Sequence, residues 1–202
     1  MENRVGASQA DLGPLPPPPA DLASRALPIE QISRTWYRIH SCAHDALYFN
    51  APAGEYGTMY LGGELACCFV ETFGRLDTAA GTTVRSVSQA QLLEACLSEI
   101  IPMRPLALVD LTGPGLRRLD ADARLCAGNH AESRLWGRAF WAHPAQPDGL
   151  LFPARHKPSL LSVALFDRAG SAVQAGTPRS LGSLPLATLG ALLSRYDFSL
   201  RP

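Results

Sequence analysis

The sequence predicts an α+β domain, and three segments carry that prediction. Thr58 to Leu61 has the β-branched and aromatic content of a strand, and it runs through Gly62-Gly63 straight into an apolar helical pattern from Glu64 onward. Leu106 to Leu111 reads as a buried strand, while His130 to His143 sets Leu135, Trp136, Ala139 and Phe140 at helical spacing. Strands and helices interleave irregularly and no internal repeat is present, which is the α+β pattern.

The remaining elements follow in chain order. Pro14 and the run Pro16 to Pro19 cannot join a helix or a sheet interior, so Met1 to about Ala20 is expected to be a mobile arm. Thr35 to His40 alternates as a first strand, and Ser88 caps a helix containing Gln91, Leu92, Leu93, Ala95, Cys96 and Leu97. Gly113-Pro114-Gly115 breaks the chain sharply after the buried strand. Leu150 to Phe152 and Ser162 to Phe166 are short strands able to pair, and Leu184 to Ser194 forms a closing helix. The expected organisation is a proline-rich flexible arm over 1–28, one domain over 29–170, and a C-terminal loop and helix packed on it over 171–202.

Composition narrows the function. With 202 residues, 47% of them hydrophobic and 18% charged, the chain can build one well-buried domain. Formal net charge is zero, so no electrostatic footprint calls for nucleic acid or an anionic membrane. No stretch has the apolar length of a signal peptide or a membrane span, and a cytoplasmic location is expected. The five cysteines (Cys42, Cys67, Cys68, Cys96, Cys126) contain no Cys-x-x-Cys pair and are expected to be reduced packing residues. His40 and His44 have the spacing of a metal pair but lack the glutamate of the zincin motif, so no metal is expected. Walker, dinucleotide-binding and nucleophile-elbow motifs are also missing.

Glu71 is the residue that asks for chemistry. It sits beside Phe69, Val70 and Phe73, and a carboxylate losing water must find partners or change its pKa. Two readings stand: an acidic residue at the edge of an amphipathic helix, or a catalytic or ligand-binding carboxylate beside a pocket.

A set of ordered motifs resembles the RES-domain family. They are Tyr37-Arg38-Ile39-His40, Phe49-Asn50-Ala51-Pro52 with Gly54-Glu55-Tyr56-Gly57-Thr58-Met59-Tyr60-Leu61, and Glu71-Thr72-Phe73. Leu108-Val109-Asp110-Leu111-Thr112-Gly113-Pro114-Gly115-Leu116, Trp136, Asp148 to His156 and Val163-Ala164-Leu165-Phe166 follow in the family's order. The resemblance spans about Ile32 to Arg168. It implies a compact domain similar to ADP-ribosyltransferase toxins, with a central mixed sheet flanked by helices. It also implies cleavage of the nicotinamide–ribose bond of NAD, with NAD as substrate, phosphate as a co-substrate, and no permanently bound cofactor. Many members are toxins of bacterial toxin–antitoxin pairs, so the implied partners are an Xre-like antitoxin protein and, as in many members, a second copy in a homodimer.

Within that resemblance Glu71 would stabilise the positive charge that develops on the ribose. Arg38 would grip the pyrophosphate, Tyr60 would stack on nicotinamide or hold the ribose, and Arg155 would add a second phosphate contact. Two positions depart from the family. Tyr48 stands where its arginine is expected, at the cofactor-binding step before Phe49, and Ala154 stands where its serine is expected. A planar cation and a hydroxyl are thereby lost, which leaves a second reading open: a catalytically degenerate RES-like protein that binds nucleotides or other proteins.

Overall fold

The computed structural model describes residues 13–52, 54–74, 85–127 and 130–202. Its strands are β1 (Ile29–Ile32), β2 (Trp36–Ser41), β3 (Thr58–Gly62), β4 (Arg85–Ser88), β5 (Ala95–Pro102), β6 (Leu106–Asp110), β7 (Gly149–Ala154), β8 (Lys157–Phe166), β9 (Val173–Ala175), β10 (Arg179–Ser180) and β11 (Phe198–Arg201). The helices are α1 (Leu65–Phe73), α2 (Gln89–Glu94), α3 (Gly113–Arg118), α4 (Arg124–Ala127), α5 (His130–Trp141) and α6 (Leu186–Arg195). Strands β1-β6-β7-β8-β3-β2-β5-β10 lie side by side in one sheet, with β9 also on β5, and β11 and β4 form a separate parallel pair. Among the described strands only β6 and β7 pair in parallel in the main sheet, so the sheet is mixed but predominantly antiparallel, in keeping with the α+β class.

The pairing decides what each face carries. Trp36, Met59, Leu61, Ile100, Leu106, Leu108, Leu151, Val163 and Leu165 fill one face, closed by Ala46, Leu47 and Phe49 from the strap that joins β2 to β3 and by Ala169, Ala172 and Val173. The other face carries two distinct cores. One holds Val109, Leu111 and Phe166 under Trp136 and Phe140 of α5, and the other holds Tyr37, Ile39 and Leu97 under Phe69 of α1 and Leu189 and Leu192 of α6. Strands β3 and β8 run between those two cores.

Most predicted elements are present, with informative shifts. Ser88 does cap a helix through a full capping box with Gln91, but the helix stops at Glu94. Ala95, Cys96 and Leu97, read as helical, instead begin β5, because pairing with β2 buries them better than one further helical turn. Gly113-Pro114-Gly115 starts α3 rather than a loop; proline suits the first turn of a helix, where its missing N–H costs nothing.

Two expectations are corrected. The proline-rich segment is no free arm from Gly13 onward: Leu15 and Leu22 are buried in the α5 core, Pro16 O accepts from Trp136 Nε1 at 2.9 Å, and the Leu15 N–H donates to Glu132 Oε2 at 3.0 Å. Arg124 NH1 donates to the carbonyls of Gly13 and Pro14, both at 2.9 Å. Prolines supply carbonyl acceptors on a stiff backbone, so the segment works as a brace. Residues 1–12 lie outside the described residues. The cysteines are likewise not all reduced, since Cys42 and Cys96 form a disulfide with their Cα atoms 4.9 Å apart. Antiparallel pairing sets His40 opposite Cys96 and carries Cys42 to the same strand end, a proximity that a sequence separation of 54 conceals. Closing a loop of 54 residues stabilises the fold by about 4 kcal/mol in the chain-entropy account.

Deleting residues 1–19 is expected to lower stability by about 2–4 kcal/mol, through loss of buried Leu15 and of the bonds to Trp136 and Glu132. Urea unfolding of both forms measures it. An unchanged midpoint would restore the free-arm reading.

Candidate active site

The two helical cores part over β3 and β8, where Ser162, Ala164 and Phe166 of β8 are buried but Tyr60 of β3 stands open between them. Tyr60 lies on a central strand, yet it is 65% exposed. Its strand neighbours Met59 and Leu61 are buried on the opposite face. Burying a large aromatic side chain is worth roughly 1.5–3 kcal/mol, so a central strand that forgoes it is kept open for something else.

Gly62 lets α1 approach this strip of sheet between the cores. An added Cβ there would stand 2.6 Å from Cys68 Sγ and 3.3 Å from Cys67 Cβ, so only glycine admits the helix so close. Gly62 pairs with Ser162, and Ser162 Oγ in turn lies 3.6 Å from Cys67 Sγ. One helical turn beyond Cys67 is Glu71, whose Oε1 accepts the backbone N–H of His156 at 3.0 Å. His156 and Arg155 form the turn between β7 and β8. Glu71 is therefore held by an N–H of a neighbouring hairpin, and Oε2 has no partner among the described residues.

Charge also gathers at the start of α1. Glu64, the residue before α1, takes Lys157 Nζ at 3.5 Å and Arg195 NH1 at 3.6 Å. Cys67 lies between the two glutamates: burial raises its pKa most, the Ser162 contact lowers it, and the charges of Glu71 and Glu64 raise it again, leaving it upward. Cys68 is pushed up to about 12 by burial, as is Cys126. These thiols are packing groups.

The sequence-chosen residues divide between the two faces. Glu71 and Tyr60 share the helical face, on either side of the Gly62–Ser162 step. Tyr60 lies in register with Leu150 through Ala164, four residues of strand or about 13 Å from Ala154, and the His156 amide that anchors Glu71 lies beyond Ala154 in the turn. Tyr60 and Glu71 are two ends of a strip rather than one wall. Arg155 is exposed at the hairpin tip next to the amide that binds Glu71. Arg38 goes elsewhere: Tyr37 pairs with Gly62 and packs beneath α1, so its neighbour Arg38 projects from the opposite face. There its NH1 donates to Ala46 O, and burial pulls its pKa down while Asp45 pulls it up less. Arg38 pins the β2–β3 strap. Tyr48 belongs to the same strap, 52% exposed and stacked on His44 with ring centroids 5.7 Å apart. Ala154 is buried in β7 at a register shift of the hairpin.

Sequence reasoning missed Ser162, Cys67, Lys157 and Arg195, which meet only through tertiary packing. His40 Nε2 sits 2.9 Å from Ser98 Oγ, and among the described residues no group of three or more His, Cys, Asp or Glu is placed to hold a metal.

The model of the RES domain matches residues 35–187, most of the chain, including Tyr60, Glu71, His156 and Ser162. The chain belongs to the RES-domain family. That match extends beyond residue 170 into α6, whose Arg195 end reaches Glu64. A relative from Sinorhizobium fredii (strain NBRC 101917 / NGR234), named "Probable toxin y4kH", is 35% identical over 82 residues, covering 40% of this chain and 63% of that protein. The RES chain described here thus spans a little under two thirds of that curated relative. The crystal structure of the M. tuberculosis MbcT–MbcA toxin–antitoxin complex contains a chain with the same fold, at a TM-score of 0.59 and 22% identity, covering 82% of this chain and 92% of that one.

Because their thiols are held protonated, Cys67, Cys68 and Cys126 are expected to resist iodoacetamide in the native RES domain at about pH 8 and to react once unfolded. Mass spectrometry of labelled peptides reads this out. Rapid native labelling of Cys67 would instead place a thiolate in the strip.

Proposed function

We propose that this protein is a RES-type enzyme that cleaves the nicotinamide–ribose bond of NAD. The observation that carries the reading is Glu71, a carboxylate fixed by the His156 amide at the end of an open strip that displays Tyr60. In this reaction the C1′–N bond breaks, nicotinamide leaves with the electron pair, and positive charge builds on the ribose. An oxygen of phosphate, or of water with loss of a proton, then closes on C1′. Glu71 faces the developing charge with Oε2 while Oε1 stays bound to His156, so little reorganisation accompanies the step. Tyr60 offers a flat face to nicotinamide or a hydroxyl to ribose. Arg155 and Lys157 flank the His156 amide that holds Glu71 and suit an incoming phosphate. Arg38, facing the other way, has no part in this scheme.

The biological role we propose is that of a toxin acting on cytoplasmic NAD and held in check by an antitoxin. Support comes from the name of the Sinorhizobium relative and from the toxin–antitoxin complex that shares the fold. No helix of the described residues is long and apolar enough to cross a membrane. A second reading, a binding protein with attenuated turnover, is favoured by two positions: Tyr48 stacks on His44 in place of a phosphate-gripping arginine, and buried Ala154 lacks a hydroxyl. Ser162 supplies a hydroxyl on the same face of the sheet, opposite Gly62.

Purified protein incubated with NAD, with and without phosphate, is expected to release nicotinamide. Glu71→Gln is expected to slow release by about 10²–10³-fold with its melting temperature kept, because the amide oxygen still accepts from His156. Equal rates in both proteins would refute the role of Glu71, and no release from the wild type would favour the binding reading.

A further inference from the structure

The strip has a second polar end, remote from Glu71 and used by nothing so far described. Tyr56 precedes Tyr60 by four residues on the same side of the chain, and its ring stacks on Trp141 of α5 at 5.2 Å and meets Phe166 edge-on at 5.7 Å. Its hydroxyl rests against Gly137: a Cβ there would come within 3.1 Å of the oxygen, so a side chain at that position would press on the phenol. Gly137 lies between Arg134 and Arg138, which are one turn apart on the helix flank that ends in Trp141. Arg138 Nε pairs with Glu55 Oε2 at 2.8 Å, and both side chains are largely exposed. Burial raises the Tyr56 pKa, Tyr60 and Glu55 raise it further, and Arg134 and Arg138 oppose them, so these five groups interact within one cluster.

The arginines are placed by the interior. Trp136 and Phe140, on the buried side of α5, are held in the core, and Pro16 O fixes the Trp136 indole. The proline-rich brace thereby holds the α5 segment that carries Arg134 and Arg138.

We propose that Arg134, Arg138 and the Tyr56 hydroxyl form a phosphate-gripping subsite that takes the adenosine diphosphate part of a dinucleotide while its nicotinamide riboside lies toward Glu71. This rests on the NAD reading of the strip and assigns the orientation of the substrate within it. Two guanidiniums one helical turn apart, with a phenol beside them, present donors to adjacent phosphates, which is the arrangement a pyrophosphate rewards. Glu55 is the built-in competitor: it occupies Arg138 until an anion displaces it. The subsite makes a dinucleotide a better substrate than nicotinamide mononucleotide, which lacks the adenylate half.

Calorimetric titration of the full chain with ADP tests this without requiring any turnover. Arg134→Ala/Arg138→Ala is expected to weaken ADP binding by about 10-fold or more, whereas Glu55→Gln is expected to tighten it. Arg117→Ala/Arg118→Ala, on α3, serves as the control for nonspecific charge. With active protein, the ratio of kcat/KM for NAD to that for nicotinamide mononucleotide is expected to fall by a similar factor in Arg134→Ala/Arg138→Ala. ADP affinity equal in the wild type and Arg134→Ala/Arg138→Ala, or an equal loss in the α3 control, overturns the subsite. Loss of ADP binding confined to Arg134→Ala/Arg138→Ala in a protein that releases no nicotinamide upholds the subsite and removes only the reaction.

Discussion

Gly62 opposite Ser162 is the contact on which the rest of this protein depends. It lets α1 settle against β3, brings Cys67 over the strand, and points Glu71 at the hairpin tip where the His156 amide binds it. The same pairing fixes side-chain parity across the sheet. Tyr37 and Tyr60 fall on the helical face with Gly62, while Arg38, Met59 and Leu61 fall on the other. Which residues can act together is thereby decided by strand register before any side chain adopts a rotamer.

The open strip follows from how the helical face is covered. The α1–α6 layer and the α5 layer each have their own core, α1 reaches β3 only at its Gly62 end, and Tyr60 lies exposed between the two layers. An exposed tyrosine on a central strand costs burial that the remaining structure must supply. The sheet's other face does so with a continuous core, and the proline-rich brace and the Cys42–Cys96 disulfide add restraint. Functional strips in folded proteins are where local rules of burial are broken and compensated elsewhere.

Much of the architecture was legible in the sequence. The strand into Gly62-Gly63, the buried β6, the amphipathic α5 and the carboxylate among apolar neighbours all show in local pattern, because each is set by near neighbours in the chain. The misreadings share a cause. Ala95 to Leu97 carry helical spacing but are claimed by the sheet. Cys42 and Cys96 meet only through a long-range pairing, and Leu15 reaches its core only because α5 offers Glu132 and Trp136 to the brace. Arg38 shows the limit most sharply, since family order grouped it with Glu71 and Tyr60 and strand parity sets it on the opposite face. Ser162 was invisible for the converse reason: a lone buried serine in a strand reads as packing until Cys67 and Gly62 are seen beside it.

The central claim is that nucleotide chemistry belongs to the helical face, between Glu71 and Tyr60, and that the Arg38 face is structural. A crystal structure of the Glu71→Gln variant with NAD tests it most directly. The nicotinamide riboside is expected within hydrogen-bonding reach of residue 71, with the nucleotide running over Tyr60. A nucleotide bound on the opposite face, against Arg38 and the Tyr48 strap, would contradict it.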